Sequence, residues 1–191
     1  MSIDRERVQR AVSELLAAIG DDPARDGLHE TPRRVADAYA EFFRGVGSDP
    51  VEHLRDSLDV GEQTGEVVLL RDIEFTSMCE HHLLPFSGVA HVAYLPGAKI
   101  VGLGRIPAVV RTIAARPQIQ ERLTDEVADA LVQGLDPAGV LVVVDASHGC
   151  LATRGANQSN ASTVTLASRG SLTEPVARAE LLALIGERVT R

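Results

Sequence analysis

Two short segments concentrate the side chains of this sequence that can bind a metal or move a proton. Cys79-Glu80-His81-His82 and Ser147-His148-Gly149-Cys150 together hold both cysteines and three of the six histidines. Cys79 and His82 stand three residues apart, a separation that lets a tight turn aim both at one ion, and Cys150 would reach the same ion from a distant segment. The set is then two thiolates and one imidazole. Structural zinc sites usually close with four protein donors, whereas three leave a place for water whose pKa zinc brings near neutrality, so the pattern suggests a hydrolytic zinc. His81 and His148 remain beside the proposed metal, and histidine is the residue type naturally suited to proton transfer near pH 7. In an extended strand His148 and Cys150 face the same side. A plainer reading stays open, in which the cysteines are small buried hydrophobes and the histidines satisfied polar groups. A thiol redox pair is a further reading, disfavoured because Cys79 and Cys150 do not form a C-x-x-C pair. His29, His53 and His91 have no such neighbours and read as structural.

The elements that must position these groups follow from periodicity. Val8, Val12, Leu15, Leu16 and Ile19 recur at helical spacing before Gly20, and Thr31-Pro32 opens a second helix carrying Val35, Tyr39 and Phe42. Residues 1–63 therefore read as a helical arm, and residues 64–191 as the catalytic domain. From Glu66 the period changes to two, giving a strand that ends at the Cys79 segment. A second strand is expected from about Phe86 to Leu95, and a third over Lys99 to Leu103 after the Pro96-Gly97 turn. Two helices follow, one from near Gly104 that tolerates Pro107 in its opening turn, and one from about Gln118 to Leu135. The run Val140 to Val144 reads as a buried strand delivering His148 and Cys150. Ser162 to Ala167 is a further strand, and a last helix begins at Thr173 to Pro175. Strands joined through turns favour an α+β fold with an antiparallel sheet.

Composition narrows the function classes. The chain has 191 residues, 45% of them hydrophobic, with a mean hydropathy of +0.03, enough apolar material for one core. Its net charge of −8 opposes wrapping a phosphate backbone, and 3% aromatic content with no Trp leaves little for base stacking, which excludes a nucleic-acid polymer as the expected partner. The charged start, Met-Ser-Ile-Asp-Arg-Glu-Arg, is unlike a signal peptide, and no apolar run reaches a membrane span, so a cytoplasmic protein is expected. An acidic chain can still hold one anionic ligand in a local arginine pocket.

Four linked motifs carry a more specific message. Thr76-Ser-Met-Cys-Glu-His-His82, Gly102-Leu-Gly-Arg-Ile, Arg116-Pro-Gln-Ile-Gln-Glu-Arg-Leu-Thr124 and His148-x-Cys-x-x-x-Arg-Gly155 resemble the GTP cyclohydrolase I family in order and spacing. The resemblance runs from about Thr31 to the C-terminus. It implies the tunnelling fold, an antiparallel sheet with helices on one face, assembled as a homodecamer with active sites between subunits. It also implies Zn2+ on Cys79, His82 and Cys150, GTP as the purine nucleotide substrate, and attack of water at C8 of the guanine imidazole ring. His148 would protonate the ring nitrogen and His81 assist proton transfer. Formate leaves, and a ribose rearrangement closes the ring to 7,8-dihydroneopterin triphosphate, a pterin of the kind used in tetrahydrofolate biosynthesis. Glu121 would accept the N1 and exocyclic amine hydrogens of guanine, with Gln120 on the remaining edge. Arg105, at a helix start where free amides already favour phosphate, and Arg154 and Arg34 match phosphate-binding positions.

The sequence departs from the family pattern in one stretch, Leu103-Gly104-Arg105-Ile106-Pro107-Ala108. The family has a serine where Gly104 stands, a lysine where Arg105 stands and an arginine where Ala108 stands. With a single lysine, Lys99, against 18 arginines, the exchange at Arg105 reflects the chain's general bias and keeps the charge. That bias would preserve an arginine, so Ala108 marks a phosphate cation that is absent. Three readings therefore stand side by side: the family reaction, a divergent form acting on another guanine nucleotide or stopping at a ring-opened stage, and a non-catalytic purine-binding ring.

Overall fold

The structure, a computed structural model, describes residues 3–61 and 66–186. The expected boundary at residues 63–64 lies outside the described residues. Two helices open the chain. α1 (Arg5–Ala18) starts where the Asp4 carboxylate accepts the Arg7 backbone N–H, and α2 (Thr31–Phe42) starts with Pro32 in its first turn. They pack on each other, yet α1 buries no residue and α2 buries only Pro32 and Ala36. Leu15 and Ile19 stay exposed on this arm.

A five-stranded sheet forms the body. Short β1 (Leu58–Asp59) precedes β2 (Val68–Cys79) and β3 (Pro85–Leu95), which pair antiparallel, and β4 (Lys99–Ile100) folds back on β1 as a separate two-stranded ribbon. The third strand is thus shorter than the alternation from Lys99 to Leu103 predicts, because its partner β1 offers only two residues. α3 (Arg105–Ala114) leads to β5 (Pro117–Gln118), then α4 (Gln120–Leu135), β6 (Gly139–His148), the single-turn α5 (Gly149–Ala152), β7 (Thr163–Gly170) and α6 (Pro175–Gly186). The order across the sheet is β5-β2-β3-β6-β7, antiparallel throughout except for the two-residue parallel contact of β5 with β2. The α+β class and the antiparallel pairing agree with the sequence reading; the parallel β5 contact and α5 are additions to it.

The core lies between the sheet and the helices α3 and α4. Leu123, Val127, Leu131 and Leu135 repeat every four residues along α4 and are wholly buried, and Ile106, Val109, Val110 and Ile113 do the same for α3. Burying each such side chain stabilises by about 1.5–3 kcal/mol, so this layer fixes where both helices begin. β6 is covered on both faces: Val140, Val142 and Val144 belong to the main core on the α4 side, while Leu141 and Val143 join a smaller cluster with Leu172 and Leu181 of the C-terminal segment. That explains its continuous apolar run. Among the described residues no helix is long and apolar enough to cross a membrane.

One histidine outside the motifs is part of this framework. β2 slips register between Leu70 and Ile73, with Asp72 in the left-handed region at φ 57°, and the Asp72 backbone N–H donates to Nδ1 of buried His91 at 3.2 Å. Burial holds His91 below the ordinary histidine range, Asp72 and Asp145 pull it upward, and Arg71 pulls it down. Because the folded chain binds this proton less readily than the unfolded one, the contribution of His91 to stability is complete above about pH 6.5. It falls as the pH drops through that value toward the folded pKa. Thermal unfolding from about pH 7.5 to 5.5 should therefore lose more stability in the wild type than in His91→Asn, whose amide oxygen accepts the same N–H without titrating. Equal slopes would place the acid sensitivity on the carboxylates instead.

Candidate active site

The two motifs meet where neighbouring strands end. β2 finishes at Cys79, and the loop to β3 is closed by hydrogen bonds from Cys79 N–H to Leu84 O (2.9 Å) and from Leu83 N–H to Cys79 O (2.8 Å), with Leu83 left-handed at φ 52°. The Glu80 N–H donates to Gln118 O of β5 at 3.0 Å, and the Glu80 carboxylate pairs with Arg122 on α4. Arg122 also donates to the Gln118 side-chain oxygen at 2.9 Å. The loop is thereby braced against the start of α4. From the other side, β6 ends at His148 and the chain turns at once into α5. The extended relation expected for His148 and Cys150 does not hold, since Cys150 sits in a helical turn rather than on the strand. Gly149 permits that turn: a Cβ there would stand 2.7 Å from the Pro85 carbonyl oxygen of β3.

This folding brings one potential ligand atom each from Cys79, His82 and Cys150 within 4.8 Å of one another. A tetrahedral ion with bonds of about 2.0–2.3 Å needs donors roughly 3.3–3.8 Å apart, so modest side-chain adjustment closes the trio on a metal. The donors fit a borderline-soft cation. Cys79 is buried, Cys150 half-buried and His82 exposed, and both cysteines are free thiols. Burial pushes the Cys150 thiol up, and the adjacent Cys79 sulfur adds to the push. A thiol that resists ionising beside a second sulfur is suited to a divalent cation, whose charge compensates the thiolate.

The remaining titratable groups gather round the trio. Nδ1 of His81 lies 3.9 Å from the Cys79 sulfur, and its ring meets that of His82 edge-on with centroids 6.3 Å apart. The His148 ring stacks flat on Phe86, with centroids 4.8 Å apart and 3° between planes, and its Nε2 lies 2.7 Å from Oε1 of Gln120. Burial lowers the His148 pKa, and the Glu121 carboxylate opposes that shift. Glu121 is exposed in the first turn of α4, whereas its neighbour Gln120 is 1% exposed. Arg154, just beyond α5, brings Nη1 to 3.3 Å from Nε2 of His82.

The structure thus unites Cys79, His81, His82, His148, Cys150, Gln120, Glu121 and Arg154 in one neighbourhood. Two expected site residues stand apart from it. Arg105 opens α3 and is ion-paired with Asp56 at 2.7 Å, and Arg34 is exposed on α2 beside Glu30. Among the described residues no side-chain hydrogen bond or ion pair joins either arginine to the cluster. Phe86, Thr165 and the Glu80–Arg122 brace escaped sequence reasoning. Glu80 stands inside the first motif, but its partner lies 42 residues away. Phe86 is recognisable only once strand register sets it opposite His148.

Most of the chain matches known proteins. Residues 8–186 match the family described as GTP cyclohydrolase I. The chain is 59% identical over 183 residues to GTP cyclohydrolase 1 of Leifsonia xyli, covering 96% of each chain. It is 52% identical over 185 residues to GTP cyclohydrolase 1 of Halalkalibacterium halodurans, covering 96% of this chain and 97% of the relative. Among solved structures, the archaeosine synthase QueF-Like in its apo form overlaps 57% of this chain and 98% of its own, at a TM-score of 0.48 and 16% identity.

Proposed function

The chain belongs to the GTP cyclohydrolase I family, and from that premise we propose that it hydrolyses GTP at C8, releases formate and forms 7,8-dihydroneopterin triphosphate. The observation that carries this reading is the convergence of Cys79, His82 and Cys150 beside His148 and His81. Zinc is the metal we assign to the trio, and when bound it supplies a water acidic enough to act as nucleophile near neutral pH.

The residues of the chain do the rest. His148, half-buried against Phe86, takes up the proton released by the attacking water and delivers it to the imidazole nitrogen as the C8–N bond breaks. His81, exposed on the opposite motif, serves the second proton transfer, when the formamide is cleaved to formate. Two waters enter during ring opening and formate release, and one leaves as the rearranged ribose carbonyl condenses with the freed amine. Glu121, free of any ion pair among those described, accepts the N1 and exocyclic amine hydrogens of guanine with one carboxylate. Arg154, beside the trio, faces the phosphates, and Arg105 and Arg34, which stand apart from the cluster within one subunit, would add their charge from a neighbouring subunit. The assembly we propose is a homo-oligomer, in the family arrangement a decamer with sites between subunits. The exposed Leu15 and Ile19 of the arm, and Val164 and Leu166 on the edge strand β7, are apolar surfaces that such an assembly would cover.

Incubation of zinc-loaded protein with GTP, GMP and guanosine tests the proposal. GTP should yield formate and pterin fluorescence in equal amounts; no formate from any of the three would reject it. A ring-opened formamide that accumulates from GTP would instead favour a reaction stopping short, with Gly104 as the altered position.

The phosphate grip has its own expected result. Arg105 and Ala108 lie one turn apart on α3, so the helix start offers one guanidinium where the family pattern has two cations. A restored charge-assisted contact contributes about 1.5–3 kcal/mol, or roughly ten- to over a hundredfold in affinity. Ala108→Arg should strengthen GTP binding by that factor and leave guanosine binding unchanged. A uniform change for both ligands would remove Ala108 from the phosphate subsite.

A further inference from the structure

Gln120 is the most deeply buried polar group of the site, and every polar atom of its side chain is engaged inside the protein. Its amide nitrogen lies 2.7 Å from Thr163 O, 3.0 Å from Val144 O and 3.2 Å from Thr165 Oγ1, and its oxygen lies 2.7 Å from Nε2 of His148. The two backbone carbonyls only accept, so the amide must present its N–H groups to them and turn its oxygen to the histidine. An amide oxygen only accepts as well. The hydrogen in the 2.7 Å contact therefore belongs to Nε2 of His148.

The hydroxyls behind Gln120 reinforce the same direction. Thr124 Oγ1 donates to Gln120 O at 2.8 Å, which uses its single hydrogen. Thr165 Oγ1, 2.6 Å away, must then be the donor between the two threonines, and its lone pairs share, as a bifurcated contact, one of the two Gln120 amide hydrogens already turned toward the carbonyls. From His148 to the α4 backbone each contact has one consistent polarity. A reversed amide would set an oxygen against two carbonyl oxygens in a buried place, where such a mismatch is most costly.

We propose that Gln120 is a positioning residue that fixes the tautomer and orientation of His148, acting through that ring rather than on the purine edge. Nε2 is held as the hydrogen-bearing nitrogen pointing inward, the ring plane is clamped on Phe86, and Nδ1 is the nitrogen left to exchange a proton with the substrate. Hydrolysis then needs no search among ring flips or tautomers, which is where the gain in rate arises. The inference rests on the proposed reaction for its consequence in catalysis, but not for the tautomer itself.

Two measurements test it. Solid-state 15N spectra of zinc-loaded, histidine-labelled protein at about pH 8, where an ordinary imidazole is neutral, are compared with those of His148→Ala to isolate the His148 signals. They should show a protonated Nε2 and an unprotonated Nδ1; a protonated Nδ1 overturns the proposal whatever the enzyme does with GTP. The second measurement is a double-mutant cycle. Gln120→Met should lower kcat by about tenfold or more in the wild type and by less than about twofold in a His148→Ala background. Equilibrium binding of GTP to His148→Ala and to the double variant should agree within about threefold. Additive losses in kcat, or a tenfold weaker GTP complex in the double variant, would place Gln120 on the purine instead. Should Gln120→Met fail to fold, the spectra of the unmodified side chain still decide the tautomer. Absence of formate from the wild type alongside a protonated Nε2 would reject the proposed reaction and leave the Gln120–His148 assignment standing.

Discussion

Cys150→Ala should release the metal and reduce formate production from GTP by more than about a thousandfold, while the fold survives. Three donors define the trio, and removing one leaves a thiol and an imidazole, too few to hold zinc against water or to keep an acidified water in place. The substitution suits the test because of where Cys150 lies. It is half-buried in the single turn α5, whereas Cys79 is 6% exposed and packs in the main core, so that truncating Cys79 would confound metal loss with core damage. Alanine also suits a helical turn better than cysteine does. Measurement of bound zinc per chain, thermal midpoint and formate on the same samples separates the effects. The expected outcome is little metal, a midpoint close to that of the metal-free wild type, and background formate. Stoichiometric zinc with full turnover in Cys150→Ala would remove this residue from the ligand set and with it the proposed function.

The convergence of Cys79, His82 and Cys150 was legible because its chemistry is written into residue types. Two cysteines in a chain of 191 residues, each within two positions of a histidine and each in a motif that follows a strand-like run, point to a shared metal. The strands and long helices were legible for a different reason. Their apolar periods of two and near four are what one-sided burial requires, and the fully apolar β6 follows from burial on two sides. What could not be read were contacts set by register and by a few residues of irregular chain. The turn of α5 depends on Gly149 facing the Pro85 carbonyl, a neighbour 64 residues earlier by its number, and no local pattern announces it. The buried place of Gln120 was equally hidden. Gln-Glu-Arg reads as solvated helix surface, yet the first residue is sealed beneath β6 and β7, the second is exposed and the third pairs with Glu80. Three adjacent polar residues thus have three environments, because α4 begins at the sheet's edge and its first turn points in three directions.

His148→Ala is expected to lower kcat by about a hundred- to ten-thousandfold with zinc content unchanged, the span typical of losing one positioned acid or base. The imidazole is absent from the Cys79, His82 and Cys150 trio, so the metal should stay, and the guanine contact proposed for Glu121 is untouched, so GTP affinity should remain within a few-fold of the wild type. A loss confined to kcat is the signature of a group whose work is done in the transition state. Stability should also fall. The buried oxygen of Gln120 loses its donor, a cost of about 1–3 kcal/mol, and the Phe86 face loses its stacked ring. That loss is separable from chemistry because activity is measured well below the unfolding temperature. Imidazole added to the solution provides the sharper discrimination. His148 is half-buried, so its truncation leaves a gap beside Phe86 that a free imidazole can enter from solvent, donating to the Gln120 oxygen and returning part of the proton transfer. Saturable recovery of formate release in His148→Ala, with no effect of imidazole on Cys150→Ala, is the expected pattern. Unchanged kcat in His148→Ala would exclude this histidine as the proton donor and leave His81 as the acid on which ring opening depends.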